Sequence, residues 1–314
     1  MKPKIAVLIV VWNGVKDTLE CLESLQDDLY ENKEIIIVDN GSTDDSCEII
    51  KSSGFNVKII RSESNLGFTG GNNLGLKEAK RCGAQYVFLL NNDTTVEPEA
   101  LSALVEAAQL QPRAGILSPV IHYYDSPAEI WFAGATLRFY VGEALHDLSL
   151  QPGRLSKPYF SPWVSGCAML VSMVAVDRVG SFDDRFYLNW EDVDWCVRMR
   201  SEGWDVGVVP SARIYHKVGR SQWKLHGRSC YYSVRNNLLF SAKHAGLGYL
   251  STFVLVMWRH FREVLRRSGA GRREILDGAI NGFSDHLAGH YGCRSLEGDC
   301  AKARAQASEP YVRV

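Results

Sequence analysis

Through the first 120 residues, continuous apolar runs rich in β-branched side chains alternate with amphipathic stretches. Ile5–Trp12 reads as a buried strand. It is followed by a helix over Lys16–Leu29, with Leu19, Leu22, Leu25 and Leu29 on one face. The series continues with a strand over Glu34–Asp39, a helix over Asp44–Ser53 and a strand over Val57–Arg61. After a loop rich in glycine and asparagine come a helix over Asn73–Arg81, a strand over Tyr86–Leu90, a helix over Pro98–Leu110 and a strand over Gly115–Val120. Apolar strands separated by helices of about 10–15 residues predict βαβ units in an α/β fold. The sheet is then mostly parallel and covered on both faces. Ligands of such sheets bind beyond the carboxyl ends of the strands. That rule singles out the loops after Val11, Val38 and Leu90.

From Ile130 to Val174 the pattern changes to short strands and turns. Trp190–Glu202 reads as a helix stopped by Gly203, Asp205–Val209 as a strand, the residues through His216 as a loop, and Trp223–His244 as a helix. Leu247–Trp258 is mostly apolar but shorter than the ~20 residues that a bilayer span requires. Leu250, Phe253, Val254, Met257, Phe261, Val264 and Leu265 recur at three- and four-residue spacing, and residues 259–274 hold six arginines against Glu263 and Glu274. A basic amphipathic helix of this kind lies on an anionic membrane surface. A helix packed on the rest of the chain has the same pattern, and both readings stand. The last residues, about fifteen, read as a frayed polar tail.

Composition narrows the classes. With 314 residues, 46% hydrophobic and 23% charged, the chain can bury a large core, and disordered and collagen-like classes are excluded. Its 35 basic residues nearly balance 36 acidic ones, so no global field draws it to nucleic acid. Eight cysteines form no CxxC pair, and a chain of this length needs no disulfide staples. Reduced thiols and a cytoplasmic setting are expected, with a peripheral contact on the inner membrane face if the basic helix docks there. The N-terminal apolar run is too short and too β-branched for a secretory signal.

Three constellations carry chemistry. In Val38-Asp39-Asn40-Gly41-Ser42-Thr43-Asp44, a buried strand ends in a carboxylate and turns on glycine into a capped helix. Asp44 reads equally well as a cap. Asp39 is harder to assign to structure, because an unpaired buried carboxylate costs several kcal/mol; it suits a nucleobase imide N–H or a ribose hydroxyl. Asn91-Asn92-Asp93 ends another strand, where hard oxygen ligands suit Mg²⁺ or Mn²⁺ shared with substrate phosphates. Glu191, Asp192 and Asp194 open a helix between Trp190 and Trp195. The helix dipole accounts for Asp194, whereas repulsion between adjacent carboxylates raises at least one pKa and tunes a general base. Gly67–Asn73 could approach phosphate with backbone N–H groups, although it is neither a P-loop nor a GxGxxG fingerprint. His216, in Tyr215-His216-Lys217, reads either as a structural residue or as a metal ligand.

The ordered segments VVWNG, IIIVDNGSTDDS, NLGFTGGNNLGL, VFLLNNDTTVEPEAL, WVSGCAMLVS, GSFDDRFYLNWEDVDWCVRMRSEGW and YHKVGRS resemble family 2 glycosyltransferases, most closely the rhamnosyltransferase-like members and their galactofuranosyl relatives. The resemblance spans about residues 4–245. It implies a GT-A fold over 1–245, with a nucleotide-binding half (about 1–125), an acceptor half (about 126–245) and a helical extension over 246–314. It further implies inverting transfer of a sugar from a dTDP-, UDP- or GDP-sugar to a glycan or polyprenyl-linked glycan in cell-envelope polysaccharide synthesis, assisted by a divalent metal. Position by position, it assigns Asp39 to the nucleobase. Asn65, Asn72, Asn73 and Asn92 fall to the donor, Asp93 and His216 to the metal, and Asp192 to the base beside Glu191. The first acid of the usual DxD is Asn91 here, so coordination falls mainly on Asp93, His216 and the diphosphate. Two competing classes fit these residues less well. A sugar-phosphate nucleotidyltransferase lacks its expected glycine- and arginine-rich loop after the first strand. A non-catalytic nucleotide-sugar sensor or envelope scaffold sits poorly with an intact Glu191-Asp192.

Overall fold

The computed structural model describes residues 2–147, 157–218, 226–266 and 268–294. The first third of the chain forms β1 (Ile5–Val11), α1 (Val15–Asp27), β2 (Lys33–Asp39), α2 (Ser46–Ser52), β3 (Val57–Arg61), α3 (Gly67–Arg81), β4 (Tyr86–Asn91), β5 (Thr94–Val96), α4 (Ala100–Leu110) and β6 (Ala114–Tyr123). Short elements follow: β7 (Ile130–Phe132), β8 (Ala135–Arg138), β9 (Glu143–His146), β10 (Tyr159–Phe160), β11 (Ala168–Ser172) and α5 (Met173–Val179). The last are α6 (Glu191–Ser201), β12 (Asp205–His216), α7 (His226–His244), α8 (Tyr249–Arg266) and α9 (Gly269–Leu287).

The main sheet runs β10-β12-β6-β11-β4-β1-β2-β3, with β5 paired to β12 and β7 to β6. The β3-β2-β1-β4 wing is parallel throughout, as its unbroken apolar strands require. Ile5–Ile9 and Ile36–Val38 are wholly buried. Beyond β4 the sheet becomes mixed, because β11 runs antiparallel to both β4 and β6. A separate hairpin pairs β8 with β9. The C-terminal helices share their own small apolar cluster of Val234, Leu238, Val256 and Ala279.

Two expected boundaries move. α3 starts at Gly67 rather than at Asn73, so the glycine-rich stretch is helical despite its low propensity. A Cβ at Gly71 would lie 2.7 Å from Val10 Cγ1, and one at Gly75 would lie 2.0 Å from Leu8 Cδ1. The glycines let the helix lie directly on β1. β12 continues through a register shift between Val209 and Arg213, so His216 ends a strand instead of lying in a loop. The start of the helix expected at Trp223 and the polar tail lie outside the described residues. Cys21, Cys47, Cys82, Cys167, Cys196 and Cys230 are free thiols. Cys293 is disulfide-bonded, which corrects the expectation that every thiol is reduced.

Candidate active site

A cleft of about 400 Å³ opens at the carboxyl edge of the parallel wing. Trp12, Asn13 and Gly14 after β1, Asn40 after β2, Leu90–Asp93 at the end of β4 and the start of α3 all line it, as the strand-end rule requires. Of the predicted residues, Asn72, Asn92, Asp93 and His216 face this space. Asn72 Nδ2 donates to the Phe68 carbonyl at 2.9 Å, one helical turn back. Asn92 Nδ2 donates to Thr18 Oγ1 at 3.0 Å and so ties the β4 turn to α1.

Asp93 and His216 are 123 positions apart, and the sheet brings them together. β5 pairs with β12 so that His216 faces Thr94. His216 Nε2 then lies 3.2 Å from Asp93 Oδ1, with both residues buried. Lys217 N donates to the Asp93 carbonyl at 2.9 Å. The Lys217 ammonium is wholly buried and pairs with Asp17 at 2.8 Å and with Glu20, which bolts the end of β12 to α1. Burial by itself lowers the His216 pKa, but the Cys167 thiol and the Asp93 carboxylate outweigh it and raise the imidazole. Trp131 packs edge-on against His216, with ring centroids 4.7 Å apart.

Asp39 sits one residue behind Asn40. Its Oδ1 accepts from Ser42 N at 2.9 Å, while Oδ2, 3.4 Å from Arg61 Nε, has no hydrogen-bond partner. The Cys47 thiol also neighbours this buried carboxylate. Asn65 is used differently: its Oδ1 accepts from Gly67 N at 2.8 Å and from Asn40 Nδ2 at 3.2 Å, and so shapes the turn into α3. Asn73 points away from the cleft. It bonds Phe182 through both ends of its amide and donates to Asp184 Oδ1 at 2.7 Å, clamping the 182–184 loop.

The three acids of α6 separate by environment. Asp192 Oδ2 accepts from Gly166 N at 2.9 Å and Oδ1 from Val193 N at 2.8 Å. Gly166 lines the cleft, whereas Asp192 and Glu191 do not; the Asp192 carboxylate lies one hydrogen bond behind that wall. Burial pushes the Asp192 pKa up, and the two N–H groups and His146 pull it only partly back. Glu191 is buried, with Oε2 unpartnered. Desolvation and the Asp192 charge beside it raise its pKa well above the carboxylate range. Asp194 is structural: burial opposes its charge, but His244, Arg198 and Lys243 outweigh that and hold its pKa low. Arg198 Nε and His244 Nε2 each reach it at 2.8 Å and Lys243 Nζ at 2.6 Å.

The chain enters α6 through a strained turn. Among the described residues, positive φ outside glycine occurs at Asn13 (54°), Tyr187 (64°), Asn189 (68°) and Trp190 (73°), all at or beside the cleft. The last three are held from α7. Asn236 Nδ2 donates to the carbonyls of Phe186, Leu188 and Asn189 at 2.6–2.9 Å. Arg235, 1% exposed, donates to the carbonyls of Phe186 at 3.0 Å and Gly292 at 2.7 Å and stacks on Tyr231 and Tyr232. Sequence reasoning passed over Arg235, Asn236, Lys217 and Gly166. For the first two a signal existed: Arg-Asn-Asn in the middle of the apolar helix Tyr231–Phe240 demands internal partners.

The mixed sheet, the Asn-Asn-Asp turn ending β4 and the acid-bearing α6 beside one cleft define a glycosyltransferase of the GT-A fold. The chain belongs to glycosyl transferase family 2, whose family model matches residues 6–178. It is 26% identical over 248 residues to the N-acetylglucosaminyl-diphospho-decaprenol L-rhamnosyltransferase of Mycobacterium tuberculosis, covering 72% of this chain and 75% of that one. It is 24% identical over 263 residues to a dTDP-rhamnosyl transferase of Shigella flexneri, covering 78% and 82%. Among solved structures it resembles GalNAc-T7 with UDP, GalNAc and Mn²⁺ (TM-score 0.64, 20% identity), covering 76% of this chain but only 48% of that one. It also resembles a mannosyltransferase of Pyrobaculum calidifontis in complex with GDP-Man and Mn²⁺ (TM-score 0.57, 13% identity), covering 98% and 81%.

Two predictions follow from this geometry. A carboxyl whose folded pKa exceeds its unfolded value costs stability when ionised, and that cost disappears as pH falls through the folded value. Glu191→Gln is therefore expected to raise Tm at about pH 8, with the gain shrinking on acidification in melts run across pH. Asp194 has the opposite sign, so both proteins lose stability below about pH 4, where its ion pairs are protonated away. Asn236→Ala is expected to lower kcat at least ~10-fold while donor KM stays within ~3-fold, because it misplaces α6 without touching the donor loops; steady-state kinetics measure the split.

Proposed function

We propose that the chain transfers a sugar, with inversion, from a nucleoside-diphosphate donor to a hydroxyl of a glycan or polyprenyl-linked glycan acceptor. The nucleotide half is residues 1–125 and the acceptor half 126–245. The observation that carries this reading is that Asp192, raised in pKa and held by two N–H groups, is bonded to Gly166, which lines the same cleft as the Asp93–His216 pair. The names of the Mycobacterium and Shigella relatives support rhamnose-like donors and, for the first, a lipid-diphosphate acceptor.

In this reading Asp39 Oδ2 accepts the base's imide N–H, and the N-terminal turn of α3, beside Asn72, receives the donor. Among the described residues no cluster of three His, Cys, Asp or Glu side chains could hold a metal. The side-by-side Asp93 and His216 nevertheless offer one hard oxygen and one imidazole nitrogen, which fits Mg²⁺ or Mn²⁺ completed by the donor's diphosphate. When bound, the cation neutralises charge developing on the leaving diphosphate. Asp192 accepts the proton of the acceptor hydroxyl as its oxygen bonds to the anomeric carbon and the diphosphate departs from the opposite face. Glu191, kept protonated by burial and by its neighbour, leaves Asp192 as the ionised member of the pair.

Asp192→Asn is expected to abolish transfer, by about 10³-fold or more, and to keep the thermal shift produced by nucleoside diphosphates. Retained turnover would place the base elsewhere, and absence of turnover in the wild type with binding intact would indicate a nucleotide-sugar sensor. The acid limb of the wild-type kcat/KM profile should lie above the ~3.9 of an ordinary aspartate, with activity lost as pH falls. His216→Ala should erase the additional melting shift that Mn²⁺ gives over nucleotide alone.

A further inference from the structure

The C-terminal helices carry an apolar surface that the cleft does not use. On α8, Leu250, Val254, Met257, Trp258, Phe261 and Leu265 are all exposed. At 3.6 residues per turn they fall within an arc of about 100°. The packed face is a different one: Thr252, Val256 and Val264 are buried, and Phe253 meets Phe283 of α9 with centroids 5.4 Å apart. Single exposed apolar side chains need no explanation, but a continuous stripe of six does.

Charge indicates what covers the stripe. Arg262 and Arg266 are exposed and, with the half-buried Arg259, follow one flank of it. Three arginines against Glu263 leave α8 at +2, and Arg272 and Arg273 at the start of α9 are exposed as well. A second copy would place two arginine flanks around one apolar seam, whereas anionic headgroups neutralise them. Trp258 supplies the ring with a polar edge that favours the boundary between water and lipid. No helix among the described residues is long and apolar enough to cross a membrane, so contact along the surface is the geometry that fits.

The stripe is tied to the cleft. Ser251 Oγ donates to the Tyr140 carbonyl at 2.7 Å and Thr252 Oγ1 to that of Phe139 at 2.9 Å, so α8 grips the tip of the β8–β9 hairpin. Tyr140 is itself 70% exposed beside the helix start. The returning strand carries His146, whose ring packs 4.8 Å from Trp131, the residue edge-on to His216.

We propose that α8 lies in the plane of an anionic membrane, its apolar stripe among the acyl chains and Arg262 and Arg266 at the headgroups. A polyprenyl-linked acceptor in that membrane then meets a cleft already held at the surface. The acceptor clause rests on the transfer reading above; the membrane contact does not.

The test is flotation of the full-length chain with vesicles of phosphatidylcholine alone or mixed with phosphatidylglycerol. The wild type is expected to float with the mixed vesicles and to float less as salt rises. Trp258→Glu/Phe261→Glu should abolish flotation while keeping the vesicle-free melting temperature and the nucleotide-induced shift. Should that variant misfold, Arg262→Glu/Arg266→Glu should weaken binding to mixed vesicles by about tenfold or more. Failure of the folded wild type to float, or undiminished flotation of folded variants, overturns the proposal. So does a dimer in light scattering that Trp258→Glu/Phe261→Glu splits into monomers. A wild type that shows the nucleotide shift but does not float refutes only the membrane contact, and a wild type that floats but shows no nucleotide shift refutes only the transfer reading.

Discussion

Tyr187, Asn189 and Trp190 hold left-handed backbone in the four residues before α6, at a cost of roughly 1–3 kcal/mol each. Such a turn persists only where its surroundings over-determine it. Here Asn236 and Arg235 supply five hydrogen bonds to the carbonyls of Phe186, Leu188, Asn189 and Gly292 from a helix that follows in sequence. The turn sets the direction in which α6 starts. That direction places Glu191 inside, Asp192 against Gly166 of the cleft wall and Asp194 against Lys243 and His244 of α7. One backbone constraint therefore sorts three neighbouring acids into a buried carboxyl with a raised pKa, one held by two backbone N–H groups and one fixed by ion pairs.

The same economy governs the other wall. Asp93 and His216 meet because a three-residue strand, β5, folds back onto β12. Lys217, the next residue, fixes the register by pairing with α1. Gly166 allows the loop before β11 to approach Asp192, where a Cβ would also meet Phe68 Cζ at 2.9 Å. Small residues and buried ion pairs thus position the cleft, while the apolar sheet beneath it supplies the stability.

The parallel wing was legible because its strands are uninterrupted apolar runs, and the strand-end rule then led to Asp39, Asn92 and Asp93. The α6 acids were legible as a cluster and Asp194 as its structural member, but the reason differs: Lys243 and His244, some fifty positions away in α7, hold it rather than the helix dipole alone. The helical start of α3 was hidden because glycine's low propensity is overridden by contact with Leu8 and Val10. Asn65 and Asn73 have the residue type of ligands yet serve the loops, a distinction that only hydrogen-bond geometry makes. β11 enters antiparallel between β4 and β6, and no local pattern announces that insertion.

The pairing of β5 with β12 and the grip of α7 on the turn before α6 also set an order of events. On the ribosome, all four strands of the parallel wing have been made once Asn91 is added, and β4 then reaches back past β3 and β2 to pair with β1. The paired Asp93 and His216 and the properly aimed Asp192 cannot exist until residues through Asn236 have been made. Nascent chains thus pass through an interval in which every strand of the parallel wing is present but the cleft still lacks His216 and the grip of Asn236 on the turn before α6.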